Sequence, residues 1–119
     1  MLRSIAFAFL CVAAATHAAE MAPAEQRKIE QLIAAVTGLP NAQFIRNGSA
    51  YDAAAAGDHL RLKLKNAGSR IKTADDFIRY CASTSSVSGE PYKIRFADGR
   101  EVTAEQFLRQ KLAELQHPK

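Results

Sequence analysis

Cysteine is scarce in this chain: the 119 residues hold two, Cys11 and Cys81. Cys11 lies inside an apolar N-terminal run, so Cys81 stands alone in the rest and no internal disulfide can form there. The fold must therefore rest on packing, although small exported domains commonly use disulfides. A lone cysteine at helical spacing with apolar neighbours reads as a small core residue before it reads as a reactive thiol. Metal ligands are equally few. Zinc sites take three or four ligands, and past residue 18 there are one cysteine and two histidines, His59 and His117. Asp58-His59 alone does not make a metal site, and no metal or cofactor is expected. The chain also lacks a phosphate-binding glycine loop, a dinucleotide fingerprint, a Gly-x-Ser-x-Gly elbow and any paired-carboxylate constellation.

Long hydrophobic runs are missing with one exception. Ile5 to Ala15 is apolar throughout, follows Arg3, and gives way to Thr16-His17-Ala18 and then Glu20. A basic start, a short apolar stretch and small residues make up a secretory signal peptide. The run falls short of the roughly 20 apolar residues that span a membrane. A cleaved segment 1–18 and a working domain of residues 19–119 are expected, with no transmembrane segment in the mature chain. Those 101 residues suit one domain and not two. Without Arg3 the mature chain carries 15 Lys and Arg against 12 acids, a net charge of +3. That excess is too mild to argue for nucleic acid.

Periodicity places the elements. Ile29, Leu32, Ile33 and Val36 recur on one face, so a first helix is expected over Pro23–Thr37, with Pro23 in its first turn and Gly38 and Pro40 ending it. Phe44-Ile45 reads as a short strand or an ordered loop before the turn signal Asn47-Gly48. The triplet Asn47-Gly48-Ser49 also has the form of a glycosylation acceptor. A second helix is expected over Tyr51–Ala67. Its apolar residues form two stripes, one with Leu60 and Leu64 and the other with Tyr51, Ala55 and Leu62, so it should be packed on both sides and lie centrally. Alanines 53–56 would allow close approach.

Thr73-Ala-Asp-Asp76 and Thr103-Ala-Glu-Gln106 open two further helices with capping boxes. Ala74, Phe77, Ile78, Cys81 and Ala82 line the inner face of the third, and Phe107, Leu108, Leu112 and Leu115 that of the fourth. Tyr92, Ile94 and Phe96 alternate with polar residues as a half-buried strand, and Asp98-Gly99 turns it into a short return strand. The expectation is a mostly helical α+β domain: four helices, helix two central, and a small β-hairpin.

Two features invite chemistry. The first is the hydroxyl-rich loop Ser83–Gly89, holding Ser83, Ser85, Ser86 and Ser88, with Tyr92 beyond it. A loop serine with His59 as base would make a small hydrolase. Serines that satisfy backbone groups in a compact turn are the plainer account, and polar-ligand binding by His59, these serines and Tyr92 is a third. The loop is expected to lie near His59 and Tyr51. The second feature is the basic cluster Arg61, Lys63 and Lys65, continued by Arg70 and Lys72. It reads either as a solvated helical face or as a surface for anionic envelope components.

Phe44-Ile-Arg-Asn-Gly48, Tyr51, His59-Leu-Arg-x-Lys63, Thr73-Ala-x-x-Phe77-Ile78 and Ala82-Ser-x-Ser-Ser-x-Ser-Gly-x-Pro-Tyr92 together resemble the YfeK-like family of small bacterial proteins of unknown function. The resemblance runs from Phe44 to about Leu112, and its most specific part is the serine stretch ending in Pro91-Tyr92. It differs from the family pattern at Cys81, where an aliphatic residue is usual, and at Phe107, where tryptophan is common. Both departures suit core positions. The resemblance implies a periplasmic setting and carries no catalytic residue over. The expectation is an exported, non-enzymatic binding or accessory protein of the cell envelope, partnered by an envelope component or protein. The alternatives are the loop-serine hydrolase and a subunit of a larger envelope complex.

Overall fold

The computed structural model describes residues 20–117. The expected signal peptide, residues 1–18, lies outside the described residues. The first helix, α1, spans Pro23–Thr37 as the spacing predicts, with Pro23 in its first turn and Ile29, Leu32, Ile33 and Val36 buried. Two strands follow, β1 (Gln43–Arg46) and β2 (Ser49–Tyr51). Asn47 and Gly48 link them with φ of 51° and 80°. Both values lie in the left-handed region that Asn and Gly tolerate best, as a tight hairpin turn requires.

Helix α2 spans Ala53–Ala67 and begins two residues later than its pattern suggests. Asp52 caps it, its carboxylate accepting a hydrogen bond from the Ala55 N–H at 2.8 Å. That bond holds Asp52 extended and leaves Tyr51 in β2. Tyr51 thus drops out of the second apolar stripe, and Leu62 of that stripe is 55% exposed. Helix α2 nevertheless has neighbours on several sides: α1, β1 and the segment that follows α3.

Helix α3 (Ala74–Phe77) continues without a break into a wider π-helical stretch, Ile78–Ala82. The capping box at Thr73 forms in both directions: Thr73 Oγ1 accepts from the Asp76 N–H and Asp76 Oδ2 accepts from the Thr73 N–H. The α3 N-terminus has a second anchor. Glu25 of α1 accepts a hydrogen bond from the Ala74 N–H at 2.8 Å. That bond, aided by Lys28, holds the Glu25 carboxyl below its ordinary range. Phe77, Ile78, Cys81 and Ala82 are all fully buried, as their spacing predicts.

Strands β3 (Lys93–Arg95) and β4 (Glu101–Thr103) form the expected hairpin. Helix α4 (Ala104–Gln116) follows directly, with its own capping box at Thr103 and Gln106. The sheet is larger than one hairpin. It is antiparallel and four-stranded, in the order β2-β1-β3-β4. Pairing places Tyr51, Phe44, Ile94 and Val102 in one row across it. Side chains two residues apart share a face, so Arg46 and Tyr92 lie beside that row on the same side. Phe44, Tyr92 and Ile94 join residues of all four helices in one buried cluster.

One close approach was not marked by the alanine run. A Cβ built on Gly57 of α2 would fall 2.3 Å from Thr37 Cγ2 at the end of α1. Glycine is intrinsically poor inside a helix, by about 1 kcal/mol relative to alanine. Two effects of opposite sign therefore compete at this position. Gly57→Ala should cost about 1 kcal/mol net, since overpacking outweighs the helix gain. In a Thr37→Ala background the same change should stabilise by about 0.5–1 kcal/mol. Urea unfolding of the four variants measures this. Equal effects in both backgrounds would rule the contact out as the cause.

Candidate functional site

The register of the sheet brings Arg46, Tyr51 and Tyr92 under one face of α2, where His59 projects between them. Lys63, one turn further along α2, reaches the same point. Lys63 Nζ donates to the Tyr92 hydroxyl oxygen at 3.0 Å and to the Thr84 carbonyl at 3.1 Å. The Tyr92 oxygen lies 3.2 Å from His59 Nε2. Lys63 can only donate, so the Tyr92 oxygen accepts from it, and the direction of the Tyr92–His59 hydrogen bond follows the imidazole tautomer. Arg46 Nη1 sits 3.3 Å from His59 Nδ1 and 3.4 Å from Nε2, and Arg46 Nη2 donates to the Tyr51 hydroxyl at 3.3 Å.

The electrostatics favour a neutral imidazole. Burial, and then the positive charges of Arg46 and Lys63, hold His59 below its ordinary value. Arg46 in turn holds the Tyr51 phenol below the usual tyrosine range. The Tyr92 ring is buried and meets the imidazole edge-on, with 5.7 Å between centroids. Two guanidinium or ammonium groups and one imidazole thus converge with two phenols. Among the described residues, no carboxylate pairs with Arg46 or Lys63, whereas seven ion pairs form elsewhere.

Beneath this cluster lies a cavity of about 200 Å³. Its walls are the inner sheet residues Phe44 and Ile94, Ala55, Ala56 and Leu60 of α2, and Leu108 of α4. Arg46, Tyr51, His59 and Tyr92 line it on the polar side, with Lys93 nearby. The alanines of α2 leave this space open. Larger side chains there would fill it.

The serine loop lies beside the cluster, joined to it through Lys63 and Thr84 and through Asn47, the neighbour of Arg46. Its serines serve the loop. Ser83 is buried and donates to the Ile78 carbonyl at 2.6 Å, inside the π-helical stretch. Ser85 Oγ accepts from Asn47 Nδ2 at 3.1 Å and from the Val87 and Ser88 N–H groups. Ser88 Oγ donates to Asn47 Oδ1 and accepts from the Glu90 N–H. Ser86 is exposed. Among the described residues no hydrogen bond joins a loop serine to His59. Asn47 is held by two serines at the hairpin turn, so the glycosylation-like triplet is a structural turn here.

The basic cluster divides. Arg61 pairs with Glu30 of α1 at 3.0 Å, Lys63 enters the site, and Lys65 is exposed. Arg46 belongs to the site and was not among the residues singled out from sequence. Its signal is the alternation Phe44, Arg46 on one strand face, legible only once the strand and its register are known. Among the described residues no three His, Cys, Asp or Glu side chains group as metal ligands, and no helix is long and apolar enough to cross a membrane.

A mixed helix and antiparallel-sheet domain with an apolar cavity under a cationic, phenol-bearing rim is the class that fold and site define. The chain belongs to the family described as "Family of unknown function (DUF5329)", whose model matches residues 23–116. It is 43% identical over 68 residues to "Uncharacterized protein YfeK" of Salmonella typhimurium, an alignment covering 57% of each protein. The match thus spans a little over half the length of that relative. No solved structure matches the chain.

Proposed function

We propose that this chain is an exported, non-enzymatic binding protein of the bacterial cell envelope, and that the cavity under α2 takes the apolar part of a small ligand. The observation that carries the reading is the cavity itself: apolar walls with the polar groups gathered on one side. Ligand sites commonly have that composition, a mostly apolar pocket with a few convergent polar groups. The volume bounds the ligand. It exceeds the roughly 150 Å³ that holds a benzene molecule in an apolar cavity. It falls short of the roughly 300 Å³ at which sites for drug-sized molecules begin. A single ring or a short alkyl chain fits. Binding is favoured over hydrolysis because Ser83, Ser85 and Ser88 already serve backbone groups and Asn47, while His59 is engaged by Arg46 and Tyr92. Export rests on the pattern of residues 1–18.

One preparation tests both parts. The full chain, produced in a Gram-negative host, should appear in the osmotic-shock fraction with its N-terminus near Ala19. In that material 2-phenylethanol, a neutral one-ring probe, should give saturable NMR shifts centred on Phe44, Leu60 and Ile94. Ala56→Leu should abolish them. An uncleaved chain retained in the cytoplasm would overturn export. Shifts that are absent, or that persist in Ala56→Leu, would overturn the cavity as the binding site.

A further inference from the structure

The charge at the rim of the cavity points to a narrower class of ligand. Arg46, His59 and Lys63 lie within hydrogen-bond range of one another or of the shared Tyr92 hydroxyl. Two cations gathered about one site, Arg46 and Lys63, are ordinarily relieved by a nearby acid, because like charges repel even at the effective dielectric of a protein surface. Here no carboxylate relieves them. The neutral His59 stands between Arg46 and Lys63, and the phenol oxygens of Tyr51 and Tyr92 act as acceptors for them. Of the two cations, Arg46 is the one that also lines the cavity. Its guanidinium is not committed to an acid, and its contacts to His59 and Tyr51 are all 3.3–3.4 Å. These are long for charge-assisted bonds, which favour about 2.7–2.9 Å.

Resting on the reading of the cavity as a ligand site, we propose that its ligand is a small apolar carboxylic acid. The aryl or alkyl body would lie against Phe44, Ile94 and Leu108. The carboxylate would meet Arg46, with the Tyr51 hydroxyl as a second donor. Guanidinium groups match carboxylates because two N–H groups can point at two oxygens. Tyr51 suits this role because Arg46 donates to its oxygen and so leaves the phenol hydrogen available. The apolar walls offer no partner for a second polar group, so a di-acid or a sugar would leave buried polar atoms unpaired, which is costly. An aryl acid and a short fatty acid share the required chemistry.

The test compares acids with alcohols of matching shape. Phenylacetate is titrated against 2-phenylethanol, and hexanoate against 1-hexanol, by NMR at pH 7.4 on the purified protein. At least one acid should bind at least about tenfold more tightly than its alcohol, a difference of about 1.4 kcal/mol. Arg46→Gln should weaken acid binding until it no longer exceeds that of the matching alcohol. Tyr51→Phe, which keeps the ring, should reduce the preference in part and covers the case where Arg46→Gln is poorly folded. If phenylacetate binds best, the ligand body is aromatic; if hexanoate does, it is an alkyl chain, and either supports the proposal. Alcohols binding as tightly as acids, with both lost in Ala56→Leu, would overturn the acid specificity and leave the cavity reading standing. A preference for acid that survives Arg46→Gln and Tyr51→Phe would also overturn it. Absence of binding by every acid and alcohol would overturn both.

Discussion

Phe77→Ala should lower the unfolding free energy by about 3–5 kcal/mol. The ring is fully buried, at the point where α3 passes into the π-helical stretch, among Ile78, Cys81 and Ala82. Removing it deletes the most voluminous of the fully enclosed side chains. The loss combines the transfer free energy of the ring with the contacts forfeited around the space left behind. Collapse into that space is restricted. Ala74 and the α3 N-terminus are held by Glu25, and the far end by the Ser83 hydroxyl on the Ile78 carbonyl. A domain of this size is stable by about 5–15 kcal/mol, so the loss is a large fraction of the total. Val87→Ala is the matching control: Val87 is 91% exposed and the change should stay within about 0.5 kcal/mol. Urea unfolding at 25 °C with an unchanged slope measures both. A Phe77→Ala loss under about 1.5 kcal/mol would show that the core relaxes around the space, or that its tethers do not hold.

The features that could be read from the sequence were those set by neighbours along the chain. Ile29, Leu32, Ile33 and Val36 define one helical face without reference to anything distant, and α1 has the predicted limits. Both capping boxes are four-residue devices and both form. The misplaced start of α2 shows where local signals compete. Alanines 53–56 have no hydrophobic side to reveal a phase, so the pattern could run back to Tyr51. The decisive residue was Asp52, whose carboxylate stops the helix there. With that boundary shifted, β2 was hidden and the sheet was read as a single hairpin. The π-helical stretch has no sequence signature, because its wider turn depends on what packs around Ile78 and Cys81.

The site divides in the same way. His59 and Tyr92 were legible as unusual polar residues at apolar edges. Arg46 was not, since only the pairing of β1 with β3 sets it beside Tyr92. Lys63 was grouped with Arg61 and Lys65 by proximity in sequence. Their partners lie on different elements: Glu30 on α1 for Arg61, and Tyr92 with Thr84 for Lys63. A run of charge in a sequence thus gives no common destination, because residues two apart on a helix point about 200° apart.

Cys81 should react with iodoacetamide at least about 10³-fold more slowly in the folded protein than in urea. The thiolate is the nucleophile, and burial raises the Cys81 thiol above its ordinary value. The side chain is also fully enclosed, so reagent reaches it only through opening of the surrounding structure. Each 1.4 kcal/mol of opening free energy slows such a reaction tenfold when closing is fast. A core residue that opens with global unfolding therefore acquires a protection of three orders of magnitude or more. Peptide mapping by mass spectrometry after timed labelling reads Cys81 separately from any Cys11 present. The same argument ties this residue to the first prediction. If exposure of Cys81 requires unfolding of the core that Phe77 fills, Phe77→Ala should accelerate labelling by the factor its stability loss implies, about 10²–10³ or more. Val87→Ala should leave the rate within about threefold. Fast labelling of the unmodified protein would mean that the stretch Ile78–Ala82 opens by itself, and Cys81 would have to be treated as an accessible thiol. Slow labelling that Phe77→Ala does not accelerate would separate the two residues into different cooperative units, despite the four-residue spacing that places them in one core.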